Sequence, residues 1–326
     1  MDTLLTTLGD SLLAPAGYFW DPAKRVYWMY SVTSLVLATL LMMRHHELSP
    51  LKALGRLCDL SRWWTASTRI DLQLLLTNSV VRALLILPLM VPPATVTVAI
   101  AALLELSLGE PTAPELSRSA VAMAYTLTLF VVSDLSRYIV HRLFHSVPAL
   151  WALHQVHHSA TTLTPLTLYR IHPLESLILE LRRALAIGLT TGVFLYLFEG
   201  ALNGYDVLGI NLFGFLFNLS GANLRHSNTF LSYGGVLEHL FISPAQHQLH
   251  HSEASEHHHK NYGSCLALWD WLFGTLLVAR ERQILHYGLG DDPAEAPRRL
   301  HQVLFSPMLQ SLRALRPGAT SLNRQG

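Results

Sequence analysis

The imidazoles of this chain are concentrated where its apolar runs end. Of 18 histidines, 14 fall between His141 and His259, and eight of these form three tight clusters. They read HRLFH (His141, His145), HQVHH (His154, His157, His158) and HQLHH (His247, His250, His251). On a helix, positions i and i+4 share one face a turn apart, and i+3 falls on the same side. Each cluster therefore presents two or three imidazoles on a common helix face. Eight imidazoles exceed what one tetrahedral or octahedral ion takes, so two ions fit better. Imidazole alone does not choose between Fe, Zn, Cu and Ni.

The rest of the chain sets the surroundings. Hydrophobic residues make up 51% of its 326 positions and charged residues only 14%. A membrane helix needs roughly 20 mostly apolar residues. Five stretches qualify, near residues 26–43, 72–106, 121–140, 177–198 and 207–222. The second contains Pro92-Pro93, which kinks a tilted helix or splits it into a re-entrant pair. In the fourth, Arg182 and Arg183 are expected to reach for the interface. The linker 44–69 holds Arg44, Lys52, Arg56, Arg62 and Arg69 against Glu47 and Asp59, while the connection 109–119 holds Glu110, Glu115 and Arg118. The positive-inside rule puts the first on the cytoplasmic side, and the His clusters fall on that same side. The expected fold is an all-α integral membrane bundle of four to five transmembrane helices with a cytoplasmic, His-rich helical cap. Its divisions are 1–118 (membrane helices and linker), 119–284 (the His-bearing domain) and 285–326 (a polar, Arg-rich tail, expected to be partly disordered). The N-terminus carries Asp2 and Asp10 and no basic start, so a cleaved signal peptide is not expected.

Several chemistries drop out. A net charge of +1 implies no nucleic-acid partner. The two cysteines, Cys58 and Cys265, form no CxxC pair. Neither HExxH nor the paired Glu-x-x-His of soluble di-iron bundles occurs, and there is no GxSxG, P-loop or GxGxxG. A metal transporter would place its polar residues at the bilayer midplane, whereas these clusters flank the apolar runs. A silent metal-binding scaffold is the other non-enzymatic alternative. His45-His46, His286 and His301 read as surface residues and His239 as a weak candidate.

Between about Asp134 and Thr275 the chain reads DLSRYIVHRLFH, LWALHQVHHS, RIHPLE, LRHSN, ISPAQHQLHHS and KNYGSCLALWDWLFGT. In the order and spacing of these segments it resembles the membrane-bound fatty acid hydroxylase / sterol desaturase superfamily. The resemblance implies a non-haem di-metal centre, two Fe ions in active enzymes, that uses O2 as co-substrate to attack an unactivated C–H bond. Recombinant protein could carry Zn instead. It implies metal ligation by His141, His145, His154, His157, His158, His247, His250 and His251. Matching segments add His172, His226 and, from HHHKNYG, His257, with His258 or His259 able to take that last part. Asp134, seven residues before His141, is a candidate acceptor behind an imidazole, and Asn261 and Tyr262 are candidates to orient a ligand. Asp270 reads as a structural cap. The implied activity is hydroxylation of a hydrophobic, lipid-like substrate. Desaturation or ether-lipid monooxygenation on the same centre are the alternatives. With no flavin, nicotinamide or iron–sulfur fingerprint in the sequence, electrons are expected from a ferredoxin or a small cytochrome with its reductase.

Overall fold

A computed structural model describes residues 2–111, 115–198, 204–207, 209–290 and 299–316. The chain opens with α1 (Asp2–Leu13), α2 (Trp28–His46), α3 (Pro50–Leu57), the single turn α4 (Leu60–Trp63) and α5 (Ala66–Val81). Thr65 caps α5 by accepting the Thr68 N–H. A π-turn at Arg82–Ile86 and the short α6 (Leu87–Leu89) prolong α5 until Met90 turns extended. The cause is local. Pro88 donates no hydrogen bond and crowds the carbonyl one turn back, and the π-turn absorbs that defect. Pro93 then starts α7 (Pro93–Leu108), so the expected break at Pro92-Pro93 is where the helix is interrupted.

α8 (Arg118–Ser146) is capped by Ser117 and stops at Val147, which the following proline holds extended. Pro148 starts α9 (Pro148–His158), so HRLFH and HQVHH each sit at a helix C-terminal end. A 3-10 turn (Pro165–Tyr169) leads to α10 (Pro173–Leu197). α10 lies against α7 at glycine. A Cβ on Gly188 would stand 2.4 Å from the Val96 Cβ, and one on Gly192 would stand 2.8 Å from the Thr97 carbonyl oxygen. Small residues let two backbones meet at this range, which is how apolar helices associate without a hydrophobic drive between them.

Two helical stretches among the described residues are long and apolar enough to cross a membrane: residues 66–108, taken through the proline interruption, and 118–146. The remaining expected spans fare differently. α2 has the length, with Val32, Leu35, Val36 and Leu40 exposed, but does not reach the same apolarity. α10 is long enough but carries Glu180, Arg182 and Arg183. Its exposed Leu181, Leu185, Leu189 and Val193 recur every fourth residue and form one outward apolar stripe. The fifth expected span does not form. Its region holds a two-residue hairpin (β1 Asp206–Val207, β2 Ile210–Asn211, with Val207 opposite Ile210) and α11 (Leu212–Leu219), about 12 Å long. Gly209, at φ 76°, makes the turn that a spanning helix could not contain.

Beyond the turn Ala222–His226, α12 (Pro244–His250) and α13 (Leu268–Leu272) belong to the His-bearing region. The C-terminal tail differs from expectation. Leu300–Ala314 forms α14, whose Val303 is fully buried against Ile70, Leu74 and Val156 of α5 and α9. Leu300, Val303, Leu304 and Pro307 follow an i, i+3, i+4, i+7 spacing, an apolar face that the polar average of the tail conceals. Residues 291–298 and 317–326 of that tail lie outside the described residues.

The α7–α10 contact makes a direct prediction. Gly188→Val and Gly192→Val should each destabilise the protein by about 1–3 kcal/mol through overpacking. Gly214→Ala, where a Cβ meets nothing within 4 Å, is the control. Thermal unfolding in detergent measures the difference. Equal midpoints for Gly192→Val and the control would remove this packing argument.

Candidate metal centre

The structure gathers nine imidazoles into two adjoining groups. His141 and His145 of α8, His154 and His158 of α9, and His250 of α12 form one. His157 of α9, His226, His247 of α12 and His251 form the other. Within each group the candidate ligand atoms all lie within 4.8 Å of one another. The two HxxHH segments are shared in a reciprocal way. Each gives its first and last His to one group and its middle His to the other, which is what i, i+3, i+4 spacing does between two neighbouring points.

The nitrogens converge tightly. His250 Nε2 lies 3.1 Å from His141 Nε2, and His226, His247 and His251 place their Nε2 atoms 3.0–3.2 Å apart. Metal–nitrogen bonds of about 2.0–2.1 Å put adjacent ligand nitrogens about 3.0 Å apart at right angles and about 3.4 Å apart at tetrahedral angles. Buried Nε2 atoms of His145, His154 and His158 have no hydrogen-bond partner. Nitrogen lone pairs crowded into a dry interior with nothing to receive them are costly unless a cation is shared between them. The donor set therefore fits two metal ions. The imidazoles are also in the right state: burial pushes His154 down to about 3 and His157 down to about 4, so both are neutral at neutral pH, the form that ligates.

The fatty acid hydroxylase family profile matches residues 126–275, which hold all nine of these histidines. That match supports a place for the chain in the fatty acid hydroxylase / sterol desaturase superfamily. Among its curated relatives is ornithine lipid hydroxylase OlsE of Rhizobium tropici, 30% identical over 157 residues, 47% of this chain and 42% of that protein. Alkylglycerol monooxygenases of Homo sapiens and Danio rerio are each 29% identical over 160 residues, 49% of this chain and 32% of theirs. The alignments thus span less than half the length of these relatives. No solved structure matches the chain.

Within the matched region, ring orientation is fixed from behind by the backbone. His141 Nδ1 donates to the Tyr262 carbonyl and His250 Nδ1 to the Lys260 carbonyl, each at 2.8 Å, so both turn Nε2 inward. Asn261, fully buried at φ 58°, stands between those two carbonyls. Its side chain bonds the Gln246 carbonyl and both backbone groups of Leu277, and so holds the loop from which the imidazoles hang. Asp270 accepts the Tyr262 and Gly263 N–H groups and the Thr275 hydroxyl. Gly263 admits no side chain, since a Cβ would fall 2.6 Å from the Leu266 carbonyl oxygen.

Glu175 is the functional residue that sequence reasoning missed. Its Oε1 lies 2.8 Å from His154 Nδ1, and both residues are buried. The signal was present in RIHPLE, as the one acid in the first turn of α10. Arg170 of the same segment was missed too. It pairs with Asp71 at 2.9 Å in full burial and bonds the Val156 and Ser159 carbonyls, clamping the end of α9 that bears the imidazoles.

Three expectations change. His172 lies outside both groups. Its Nδ1 accepts the Leu174 N–H as the N-cap of α10 and its Nε2 donates to the Leu304 carbonyl, so neither nitrogen is free for a metal. His257 also lies outside them, with Nε2 beside the Gln283 amide. Asp134 supports no imidazole. It accepts from the Cys265 and Leu266 N–H groups and the Trp269 indole, tying α8 to the loop that follows Gly263.

Two substitutions separate orientation from folding. Glu175→Gln should lower affinity at the first group by about 10–100-fold, read by chelator competition, with little change in thermal midpoint. Asp71→Asn strands a buried guanidinium and should cost about 3–5 kcal/mol of stability. An unchanged metal affinity in Glu175→Gln would remove its assigned role.

Proposed function

We propose that this protein is a membrane-bound, non-haem di-iron monooxygenase that hydroxylates an unactivated C–H bond of a lipid-like substrate, with O2 and electrons from an external donor. The observation that carries the reading is the pairing of five and four buried, converging imidazoles. Five ligands exceed a closed tetrahedral zinc site, and four leave positions open on an ion that prefers six. Two iron ions held there would supply the O2 activation and electron storage that side chains lack. The protein's own part is geometric and electrostatic. Tyr262, Lys260 and Glu175 orient His141, His250 and His154, and burial keeps the rings neutral and water away.

A cavity of about 350 Å³ reaches both groups, with His141, His154, His157, His226 and His247 in its wall. Its other walls include Phe144, Leu168 and Leu179, apolar surfaces suited to an alkyl segment. Residues 119–284 would form the catalytic unit. The exposed apolar faces of α7, α8 and α10 would face lipid, and the basic linker 44–69 favours metal groups on the cytoplasmic side. The donor would be a ferredoxin or a small cytochrome with its reductase. Likeness to alkylglycerol monooxygenases makes an ether-lipid substrate the second reading.

Metal analysis of protein expressed with added iron should find about two Fe per chain. In a His154→Ala/His250→Ala variant this should fall, together with formation of lipid products carrying one added oxygen atom. One metal or none, unchanged in that variant, would sink the di-iron reading. Products lacking two hydrogens, with no oxygen gained, would make the enzyme a desaturase.

A further inference from the structure

The cavity beside the metal groups carries a set of cations that the proposed chemistry does not use. Lys24, Arg25, Arg137, Arg182 and Arg225 all line it. They come from distant parts of the chain: the segment before α2, α8, α10 and the turn before Ser227. Arg182 and Arg225 are more than nine-tenths buried. Arg182 was expected to reach for the interface. Instead it turns inward and donates to the Ser133 carbonyl and the Ser136 hydroxyl of α8. Arg225 donates to the Ala222 and Ser264 carbonyls, and Arg137 meets the Ser264 hydroxyl. Each of these acceptors is neutral. Among the described residues none of the four guanidiniums has a carboxylate in ion-pair reach, and Arg182 Nε and Arg25 Nη1 are buried with no partner at all.

The nearby acids are already engaged. Asp134 accepts from two N–H groups and an indole, Glu175 holds His154 through Oε1 while its buried Oε2 makes no hydrogen bond, and Glu180 pairs with Arg82 and Arg183. Buried like charges with no counter-charge are expensive, and their mutual repulsion adds to the cost. Guanidinium forks match the two oxygens of a carboxylate or phosphate. The same cavity continues to apolar walls and to the metal-facing imidazoles.

We infer that Arg25, Arg182 and Arg225, with Arg137 and Lys24 at their side, bind the anionic head, a phosphate or carboxylate, of an amphiphilic substrate whose alkyl part reaches the metal groups. The inference rests on the oxygenase reading for its catalytic meaning, but the binding itself can be tested without turnover. A cavity of about 350 Å³ is at the small end of ligand pockets. It holds a head and the first carbons of a chain, which puts the reacting carbon within a few bonds of the anion and leaves the rest of the lipid outside.

The test uses the full-length, metal-loaded protein in a neutral detergent, with dodecyl phosphate, dodecanoate, dodecanol and inorganic phosphate as probes in calorimetric titrations. Dodecyl phosphate or dodecanoate should bind about tenfold or more tightly than dodecanol, the value of at least one charge-assisted hydrogen bond. Arg225→Met and Arg182→Met should each remove about that factor while metal content stays the same. Arg25→Gln, at a half-buried position, provides the same comparison where the buried variants fail to fold. Equal affinity for dodecanol, or anion affinity unchanged in the folded variants, would overturn the assignment. Inorganic phosphate binding as tightly as dodecyl phosphate would make this a free-anion site and would overturn the substrate assignment too. Metal content, measured on the same samples, tests the di-iron reading separately. Loss of metal with anion binding intact would count against the centre and not against the anion site.

Discussion

The structure depends on one constraint: nine neutral imidazoles must be aimed at two adjoining points in a dry interior. Neutral imidazole has one nitrogen to donate and one to accept, so aiming it means engaging the outward nitrogen. For His141 and His250 that partner is a backbone carbonyl, and for His154 it is Glu175. A carbonyl can only be placed by its own chain. This is why the loop 260–263 is held at Asn261 by Gln246 and Leu277 and at Tyr262 and Gly263 by Asp270. Asp270 also takes the Thr275 hydroxyl, which in turn meets Tyr138 of α8, so one carboxylate ties the loop to the helix that supplies His141 and His145.

Charge is distributed to the same end. Carboxylates around the centre are few, and each is spent on holding backbone or side chain in place: Asp71 on Arg170, Asp134 on the 265–269 segment, Glu175 on His154. The cations of the cavity wall are not matched to them. A positive wall beside a centre made of neutral ligands raises the local potential. It favours an anion in the cavity and discourages protonation of the imidazoles, and both effects suit the proposed pairing of a metal centre with a charged lipid head.

The sequence made part of this legible. The i, i+3, i+4 spacings identified eight of the nine converging histidines, because helix geometry alone puts such residues on one side, while His226 stands alone in LRHSN and was marked only by the family resemblance of that segment. His172 was indistinguishable from a ligand by spacing, since nothing in RIHPLE says that its nitrogens cap α10 and meet Leu304, a residue 132 positions away. Asp134 lies seven residues before His141 on α8, but its partners lie 131 and more residues on, and helix periodicity carries no information about them. Apolar length overstated the spans. The run 207–222 is hydrophobic enough to suggest a helix, yet Gly209 and the Asn211 cap divide it into a hairpin and two turns of helix. The apolar face of α14 was overlooked because composition was averaged over a tail that also holds charged residues.

α10 shows how these parts are coupled. It starts at the metal groups, where His172 caps it and Glu175 holds His154. Seven residues on, about 10 Å along the axis, Arg182 faces the cavity. Ten residues beyond that, about 15 Å further, Gly192 is pressed against α7. A single rigid helix therefore sets the distance between the α7–α10 contact, the cationic wall and one imidazole of the first group. The glycines at the far end allow only one depth of α10 against α7, because a small slide would drive backbone into Val96 and Ile100. That fixed depth is transmitted along the helix to Glu175, so the packing of two apolar helices becomes part of what orients His154.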